Sequence, residues 1–518
     1  MAVSVNETET KYEATADAVL PPLDVLPGVA AIHGPQEQQL DAEYYDTEDL
    51  RLLQAGITLR RRRGGSDAGW HLKLPSGPAA LSTRDEIRLP LGRAGRRVPK
   101  ELADLVRART RGEPLVPVAT ISTVRQVTTL VDKQGESLAE VADDCVAAVA
   151  AREDRPSDRW REIEVELTGG DRGLLTSADK QLRRAGFRRS ARSAKLEGVL
   201  SARLPKPAST QPAGPRRLTS SSTAGDVVRA YLSSQVQALL SLDPKVRRAE
   251  PDSVHQMRVA TRRLRSALRS FGTVVSRADT EQLADELQWL GGALGQARDA
   301  EVQAARLDQH VQQTDTEQLL GPVQARIQAH AAKTKAKALA AVSGALTSAR
   351  YDALLDSLDE LIASIPVGDE ASLPAGRALP AEALRSYRKT RRRMRAALRA
   401  PAGREQEAAF HQARKGAKQT RYAAEAVTPA LGAKADRLAR RMKKLQSVLG
   451  DHQDTVVGRQ ITRKLGVAAE NAGESAFSYG LFYGRDACEG ARLQQRATKV
   501  WKKASRPPDM AWLTRRSA

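Results

Sequence analysis

Between residue 1 and about residue 200, apolar and polar positions alternate in short runs: Ser4 to Thr10, Ile57 to Arg62, Trp70 to Leu74, Ser122 to Val131, Leu138 to Val146 and Arg161 to Leu167. A period of two marks strands with one buried face. Helical spacing interrupts it only near Lys100 to Thr110 and Leu174 to Ala185. Residues 1–200 therefore read as an antiparallel β domain with two helices. Residues 201–221 hold Pro205, Pro207, Pro212, Pro215 and a Ser/Thr cluster, follow neither period, and read as a flexible linker. From 222 to 505 the chain is rich in Ala and Leu, laced with charge and helical throughout; 506–518 are a tail. The expected fold class is α+β multidomain.

The helical part repeats. His255-Gln256-Met257-Arg258-Val259-Ala260-Thr261-Arg262-Arg263-Leu264-Arg265 is matched by His411-Gln412-Ala413-Arg414-Lys415-Gly416-Ala417-Lys418-Gln419-Thr420-Arg421. Leu294-Gly295-Gln296-Ala297-Arg298-Asp299 follows the first copy, and Leu449-Gly450-Asp451-His452-Gln453-Asp454 follows the second at nearly the same offset. Two units, about 222–365 and 380–505, joined by a Pro- and Gly-punctuated stretch from Pro366 to about Leu379, predict tandem four-helix bundles. On a helix the shared His, Arg, Arg/Lys and Arg fall at i, i+3, i+7 and i+10, one face spanning about 15 Å. Like charges at that spacing repel, so each ladder calls for a polyanion to neutralise it.

Composition narrows the polyanion. The formal net charge is +21, yet residues 1–200 hold 30 Lys+Arg against 31 Asp+Glu, leaving 53 against 31 for the remainder. The excess belongs to the helical part. Aromatics are only 4% of the chain, thin for the stacking platforms of single-stranded nucleic-acid binders, so bare phosphate is favoured over bases. Two cysteines, Cys145 and Cys488, make no disulfide framework, and no signal sequence or membrane-length apolar run stands out. A soluble cytoplasmic protein without a membrane partner is expected.

The N-terminal strands carry charge at the same period of two as their apolar residues. Glu7, Glu9 and Lys11 share one strand face, as do Arg60 and Arg62, His71 and Lys73, Arg84 with Glu86 and Arg88, Glu140 and Asp144, and Glu162 with Glu164 and Glu166. The opposite faces hold Leu59, Trp70, Leu72, Leu74, Ile87, Ile163, Val165 and Leu167. If those apolar faces pack outward against helices, the charged faces line an interior. Buried carboxylates and guanidiniums then need a species that answers to both, which a divalent cation with a polyphosphate does. Oxygen donors suit Mg2+ or Mn2+.

The ordered series Glu7-Thr8-Glu9-Thr10-Lys11, Leu59-Arg60-Arg61-Arg62, Leu72-Lys73, Arg84-Asp85-Glu86, Glu162-Ile163-Glu164-Val165-Glu166 and Lys195 resembles the strand motifs of the CYTH superfamily, the triphosphate tunnel metalloenzymes. That resemblance implies an eight-stranded antiparallel tunnel, a divalent metal and a substrate ending in a triphosphate. It implies Glu7, Glu9, Asp144, Glu162, Glu164 and Glu166 as metal ligands or their supports. Lys11, Arg60, Arg62, Lys73, Arg84, Arg125 and Lys195 would grip phosphates, and Glu7, Glu9 and Lys11 would form the catalytic set. Asp143 and Asp144 are adjacent, so only one can face inward; parity with Glu140 favours Asp144. The helical repeat resembles the CHAD domain, which implies inorganic polyphosphate as ligand for His255, Arg258, Arg262, Arg265, Arg298, His411, Arg414, Lys418 and Arg421. Gln453 stands where the first copy has Arg298, so the two halves would grip unequally.

The leading expectation is a metal-dependent inorganic triphosphatase, acting on tripolyphosphate or a related end, tethered to a polyphosphate-binding module that could bring it to polyphosphate granules. Two alternatives stand beside it: a CYTH enzyme for thiamine triphosphate or a nucleotide, adenylate cyclase chemistry included, and a non-catalytic binder of polyphosphate or nucleic acid. The paired glutamate clusters count against the last, since anion binding alone has no use for carboxylates.

Overall fold

The computed structural model describes residues 3–75, 83–92, 95–151, 158–190, 192, 194–204, 217–506 and 512–513. The chain divides into two compact units, Met1–Gln211 and Pro212–Ala518. Most of the expected linker, 205–216, and most of the tail lie outside the described residues.

The first unit is a closed antiparallel barrel of eight strands: β1 (Val3–Ala14), β2 (Ala31–Asp46), β3 (Thr58–Arg63), β4 (Gly69–Pro75), β5 (Thr83–Leu89), β6 (Val116–Val131), β7 (Ser137–Ala150) and β8 (Asp158–Leu167). They run in the order β5-β4-β3-β2-β6-β7-β8-β1, with β1 also pairing β5 to close the ring. Closure removes the open edges. Outside it, α1 (Arg51–Gln54) and α2 (Lys100–Thr110) pack Leu52, Leu102, Leu105 and Val106 on Leu59, Trp70, Leu72, Leu74 and Ile87. α3 (Arg172–Arg184), capped by Asp171 accepting the Leu174 N–H, packs Leu174, Leu175, Ala178 and Leu182 on Tyr12, Val141, Ile163 and Val165. The apolar strand faces thus point out to helices, and the charged faces point in.

Toward one end the wall of the interior is largely apolar. Ile121 shares the face of Arg125, and Val146 and Ala148 share that of Asp144. α4 (Lys195–Leu200) sets Leu196 and Leu200 among them, with Ala42 and Tyr44. This short helix fills that end of the barrel.

β2 is a strand that alternation alone does not predict. Its first ten residues, Ala31–Leu40, are mostly polar and include Gly34-Pro35, and their side chains are mainly exposed. Pairing with β3 on one side and β6 on the other makes it a strand.

The second unit is all helical: α5 (Ala224–Arg247), α6 (Ser253–Ser270), α7 (Arg277–Gln312), α8 (Val323–Leu346), α9 (Ala349–Ala363), α10 (Ala375–Arg399), α11 (Arg404–Leu431), α12 (Ala433–Glu470) and α13 (Phe477–Ala504). α5 to α8 and α10 to α13 are the repeated quartets, with the longest helices, α7 and α12, at equivalent places. α9 is an addition to the first quartet, burying Tyr351, Leu354, Leu355, Leu358 and Leu361 at helical spacing. α10 already begins at Ala375, and Pro380 lies within it. The core of the second quartet contains Tyr387, Met394, Phe410, Leu438, Met442, Leu445, Leu449, Leu493 and Trp501. α6 packs on α11, which places the two ladders together. Among the described residues no helix is long and apolar enough to cross a membrane.

Candidate active site and cationic groove

Strand register fixes which charges meet inside the barrel. Directly opposed residues of neighbouring strands share a face. The pairs Glu7 with Arg84, Glu9 with Glu166, Lys11 with Glu164, Arg60 with His71, Lys73 with Glu86, and Arg125 with Asp144 and in turn Glu162 encircle one interior. The parity question at Asp143 and Asp144 is resolved by the same register: Asp144 is fully buried inside, whereas Asp143 takes two hydrogen bonds from Arg161, at 2.8 and 2.6 Å.

The carboxylates gather in two groups. Asp144, Glu162 and Glu164 bring oxygens within 4.8 Å of one another, the one three-carboxylate cluster of metal-binding geometry among the described residues. Lys195 Nζ, carried in at the start of α4, sits 2.8 Å from Asp144, 2.7 Å from Glu162 and 2.7 Å from Glu164. Arg125 donates to both Asp144 oxygens at 2.7 Å and to Glu164 at 2.6 Å, and Lys11 donates to Glu164. Burial pushes the Glu164 carboxyl up, but Lys11, Lys195 and Arg125 outweigh it and hold the group well below its ordinary value. The anion is therefore stable where it stands, as a metal ligand must be. A compact ammonium held by three oxygens shows that this corner accepts a cation, and three carboxylates form the hard oxygen set a divalent ion takes.

Glu7, Glu9, Glu86 and Glu166 form the second group. Glu7 accepts from Lys73 and, at 3.3 Å, from Arg88. Glu9 lies 3.3 Å from Lys11, which overcomes burial and lowers its pKa. Burial raises Glu7, and burial with repulsion from Glu7 and Glu9 lifts Glu166 to about 7. Glu86, 0% exposed, accepts from Arg88 and meets His71 Nδ1 at 2.9 Å. His71 is lowered to about 4, first by burial. Arg60 lies 3.9 Å from Glu86 and donates to the Tyr44 hydroxyl at 3.5 Å; Arg62 is paired with Asp67, and Arg84 is buried in the wall. Sequence reasoning placed His71, Glu86 and Arg88 on this face without giving them a role, and missed Tyr44 along with its strand.

In the helical unit the ladders interlock through Tyr422. Arg262 Nη2 donates to its hydroxyl at 2.7 Å, the Arg262, Arg263 and Arg421 guanidiniums lie 5.5–5.9 Å from its ring centre, and Glu425 ties Arg263 at 3.0 Å to Arg421 at 2.6 Å. Arg258, Arg262, Arg414 and Lys418 converge on one groove. Burial, then Arg262, Arg414 and Arg258, lower Lys418 to about 6. Gly295 and Gly450 occupy matching places where an added Cβ would meet the guanidiniums of Arg258 and Arg414, at 3.4 and 3.5 Å. These glycines are what the second repeated motif supplies.

The remaining ladder positions are less convergent. Arg265 donates to Gln288 of α7, and Arg298 pairs with Glu301 at 3.0 Å. His411 Nδ1 meets Gln453 at 2.7 Å, while His255 has Arg298 nearby and its Nδ1 is buried without a partner. Burial lowers both histidines, followed by Arg298 for His255 and Lys415 for His411, so near pH 7 they are neutral donors or acceptors rather than added charge. Asp299 lies 3.4 Å from Arg258.

Comparison with known proteins agrees with both halves. The sequence matches the CYTH domain over residues 6–193 and the CHAD domain over 230–463. It is 37% identical over 516 residues to the uncharacterized protein Rv2226 of Mycobacterium tuberculosis, covering 96% of each chain. The chain belongs to the CYTH–CHAD family. Among solved structures, PptA from Streptomyces chartreusis superposes with a TM-score of 0.46 at 18% identity, over 54% of this chain and all of that one. The CHAD domain of Ricinus communis gives 0.43 at 22%, over 57% and 97%. The putative adenylyl cyclase HpAC1 from Hippeastrum, described as having a dominant triphosphatase activity, gives 0.25 at 16%, over 39% and 97%.

Proposed function

We propose that the CYTH barrel is a divalent-metal-dependent triphosphatase acting on tripolyphosphate or another triphosphate end, and that the CHAD unit binds inorganic polyphosphate. One observation carries the enzymatic half: the buried cluster of Asp144, Glu162 and Glu164 shares a single closed interior with Lys11, Arg60, Arg62, Lys73, Arg84, Arg125 and Lys195. Mg2+ or Mn2+ suits that donor set and, when bound, supplies charge neutralisation at the phosphoryl oxygens.

The chain's own residues do the positioning. Arg60, Arg62, Lys73 and Arg84 offer donors from β3, β4 and β5, opposite the cluster's strands β7 and β8, so an anhydride chain lies between them with its end held in line. Glu7 and Glu9 aim Lys73 and Lys11. Arg125 fixes the orientation of Asp144 and Glu164. The apolar packing of α4 keeps that end of the interior free of bulk water. For the CHAD unit, Arg258, Arg262, Arg414 and Lys418 form a groove in which cations outnumber the carboxylates Asp299 and Asp454 beside them, and polyphosphate is the anion that needs charge without base stacking.

Phosphate release measured with and without EDTA, across tripolyphosphate, long-chain polyphosphate, thiamine triphosphate and ATP, tests the enzyme reading. Metal-dependent release fastest on tripolyphosphate is expected. Release that is equally slow on all four would leave the barrel a binding module.

A further inference from the structure

The ladder spacing recurs outside both matched motifs: Arg385, Arg388, Arg392 and Arg395 have it on α10, and Lys434, Arg437, Arg441 and Lys444 on α12, but at α13 it lines a cavity walled by further cations. On α13 and the residue just beyond its cap, Arg496, Lys499, Lys503 and Arg506 stand at i, i+3, i+7 and i+10. The opposite side of the helix buries Leu493, Ala497, Trp501 and Ala504 in the quartet's core, so Arg496, Lys499 and Lys503 form an outward stripe about 10 Å long, and Arg506, past the cap, lines the same cavity. Arg441 and Lys444 of α12 face them across a cavity of about 470 Å³. Its other lining residues are Val500 and Ala504; no carboxylate and no aromatic ring lines it among the described residues. Nor does an acidic partner lie within ion-pair distance of Lys444, Arg496, Lys499 or Lys503 among the described residues.

This cavity is separate from the ladder groove. Gln446 is the α12 residue that Arg421 of the ladder reaches, at 3.5 Å. At ~100° per residue, Arg441 and Lys444 lie about 140° and about 160° around the helix from Gln446. The core residues Met442, Leu445 and Leu449 stand between the two flanks.

Lys444, Arg496, Lys499 and Lys503 gather around one concavity with no carboxylate among them, and an anion seated there relieves their mutual repulsion. Lys and Arg heads at helical spacing suit successive phosphoryl groups, and the absence of a stacking surface removes what a nucleic acid would use. We infer that the α12–α13 cavity is a second phosphate-chain site, independent of the ladder groove, so that the CHAD unit holds polyphosphate at two places. The inference shares its ligand class with the reading of the groove but rests on different residues.

The test uses the full chain in EDTA, so that nothing is hydrolysed, titrated with long-chain inorganic polyphosphate over a range of salt. Lys499→Ala/Lys503→Ala is the cavity variant and Arg262→Ala/Lys418→Ala the groove variant. The cavity variant should lose about tenfold in affinity, with a log–log salt slope shallower by about 1–2. The groove variant should keep residual binding that the combined variant loses. Both lysines are exposed helix positions that accept Ala, and an unchanged melting temperature and tripolyphosphate hydrolysis rate would show the fold intact. A cavity variant that matches wild type while the groove variant binds nothing would overturn the second site and leave the groove standing. No polyphosphate binding by wild type would remove the shared ligand class. Tighter binding of a single-stranded oligonucleotide of equal charge, lost in the cavity variant, would overturn the choice of ligand.

Discussion

The barrel interior and the ladder groove both concentrate ionised side chains, but they balance them differently. Inside the barrel every buried carboxylate cluster is interleaved with cations: Arg125, Lys11 and Lys195 around Asp144, Glu162 and Glu164, and Lys73 and Arg88 around Glu7 and Glu86. The groove sets Arg258, Arg262, Arg414 and Lys418 against one another, and it is Lys418 that yields, with its pKa drawn down to about 6. A balanced site is assembled before its substrate arrives and suits chemistry that needs fixed geometry. An unbalanced one stores repulsion that a ligand relieves, which suits capture.

The largest effect should come from the balanced site. Glu164→Gln removes the carboxylate shared by Lys11, Arg125 and Lys195, and triphosphate hydrolysis should fall by at least about 100-fold; a phosphate-release assay in saturating metal reads it. Glu9→Gln should be nearly as damaging, and an unchanged rate in either would remove the assignment.

Next comes stability. Arg125→Ala leaves Asp144 and Glu164 buried with fewer cations, which should cost about 3 kcal/mol in denaturant unfolding. The CHAD unit contains balanced centres of its own; in one, Asp486, 1% exposed, is held by Arg306 Nε and by His310 Nε2, each at 2.9 Å. A Cβ on Gly458 would come within 2.3 Å of Asp486 Oδ2, so Gly458→Ala should cost roughly 2 kcal/mol. If it were silent, Asp486 would be less firmly held than the barrel acids.

Lys418→Met should reverse the sign. It removes an amine that burial and the neighbouring cations force toward its neutral form on folding, so the unliganded protein should melt no lower and gain up to about 1 kcal/mol, while polyphosphate affinity drops about tenfold. A loss of stability would mean that the groove is balanced after all. The smallest effect is on pH. Lys418 is largely neutral above about 6 in the free protein, and a bound polyanion favours its charged form. Binding should therefore take up a proton near pH 7, and affinity should rise as pH falls from 8 to 6. Calorimetry in buffers of different ionisation enthalpy reads the uptake, which Lys418→Met should abolish.

Much of this was legible in sequence because period two and period 3.6 report burial directly. Alternation at Glu162 to Leu167 separated inward Glu162, Glu164 and Glu166 from outward Ile163 and Val165, as the structure has them. β2 was not legible, since its first half is polar on both faces and owes its conformation to neighbours far along the chain; Tyr44, the partner of Arg60, was lost with it. α4 is too short for a helical period, so nothing in the sequence announced that Lys195 is delivered into the carboxylate cluster by a helix packed inside the barrel. The ladders were visible as spacing, but their convergence through Tyr422 depends on how α6 meets α11, and spacing along one helix says nothing of that.

The placement of α4 has a consequence for traffic. With Leu196 and Leu200 seated on Ile121, Val146 and Ala148, the barrel is a cup with a floor. On the proposed reading a phosphate chain enters such a cup by its terminus rather than threading through it. The barrel then works on chain ends only, which makes separate moorings for the rest of the strand useful to it.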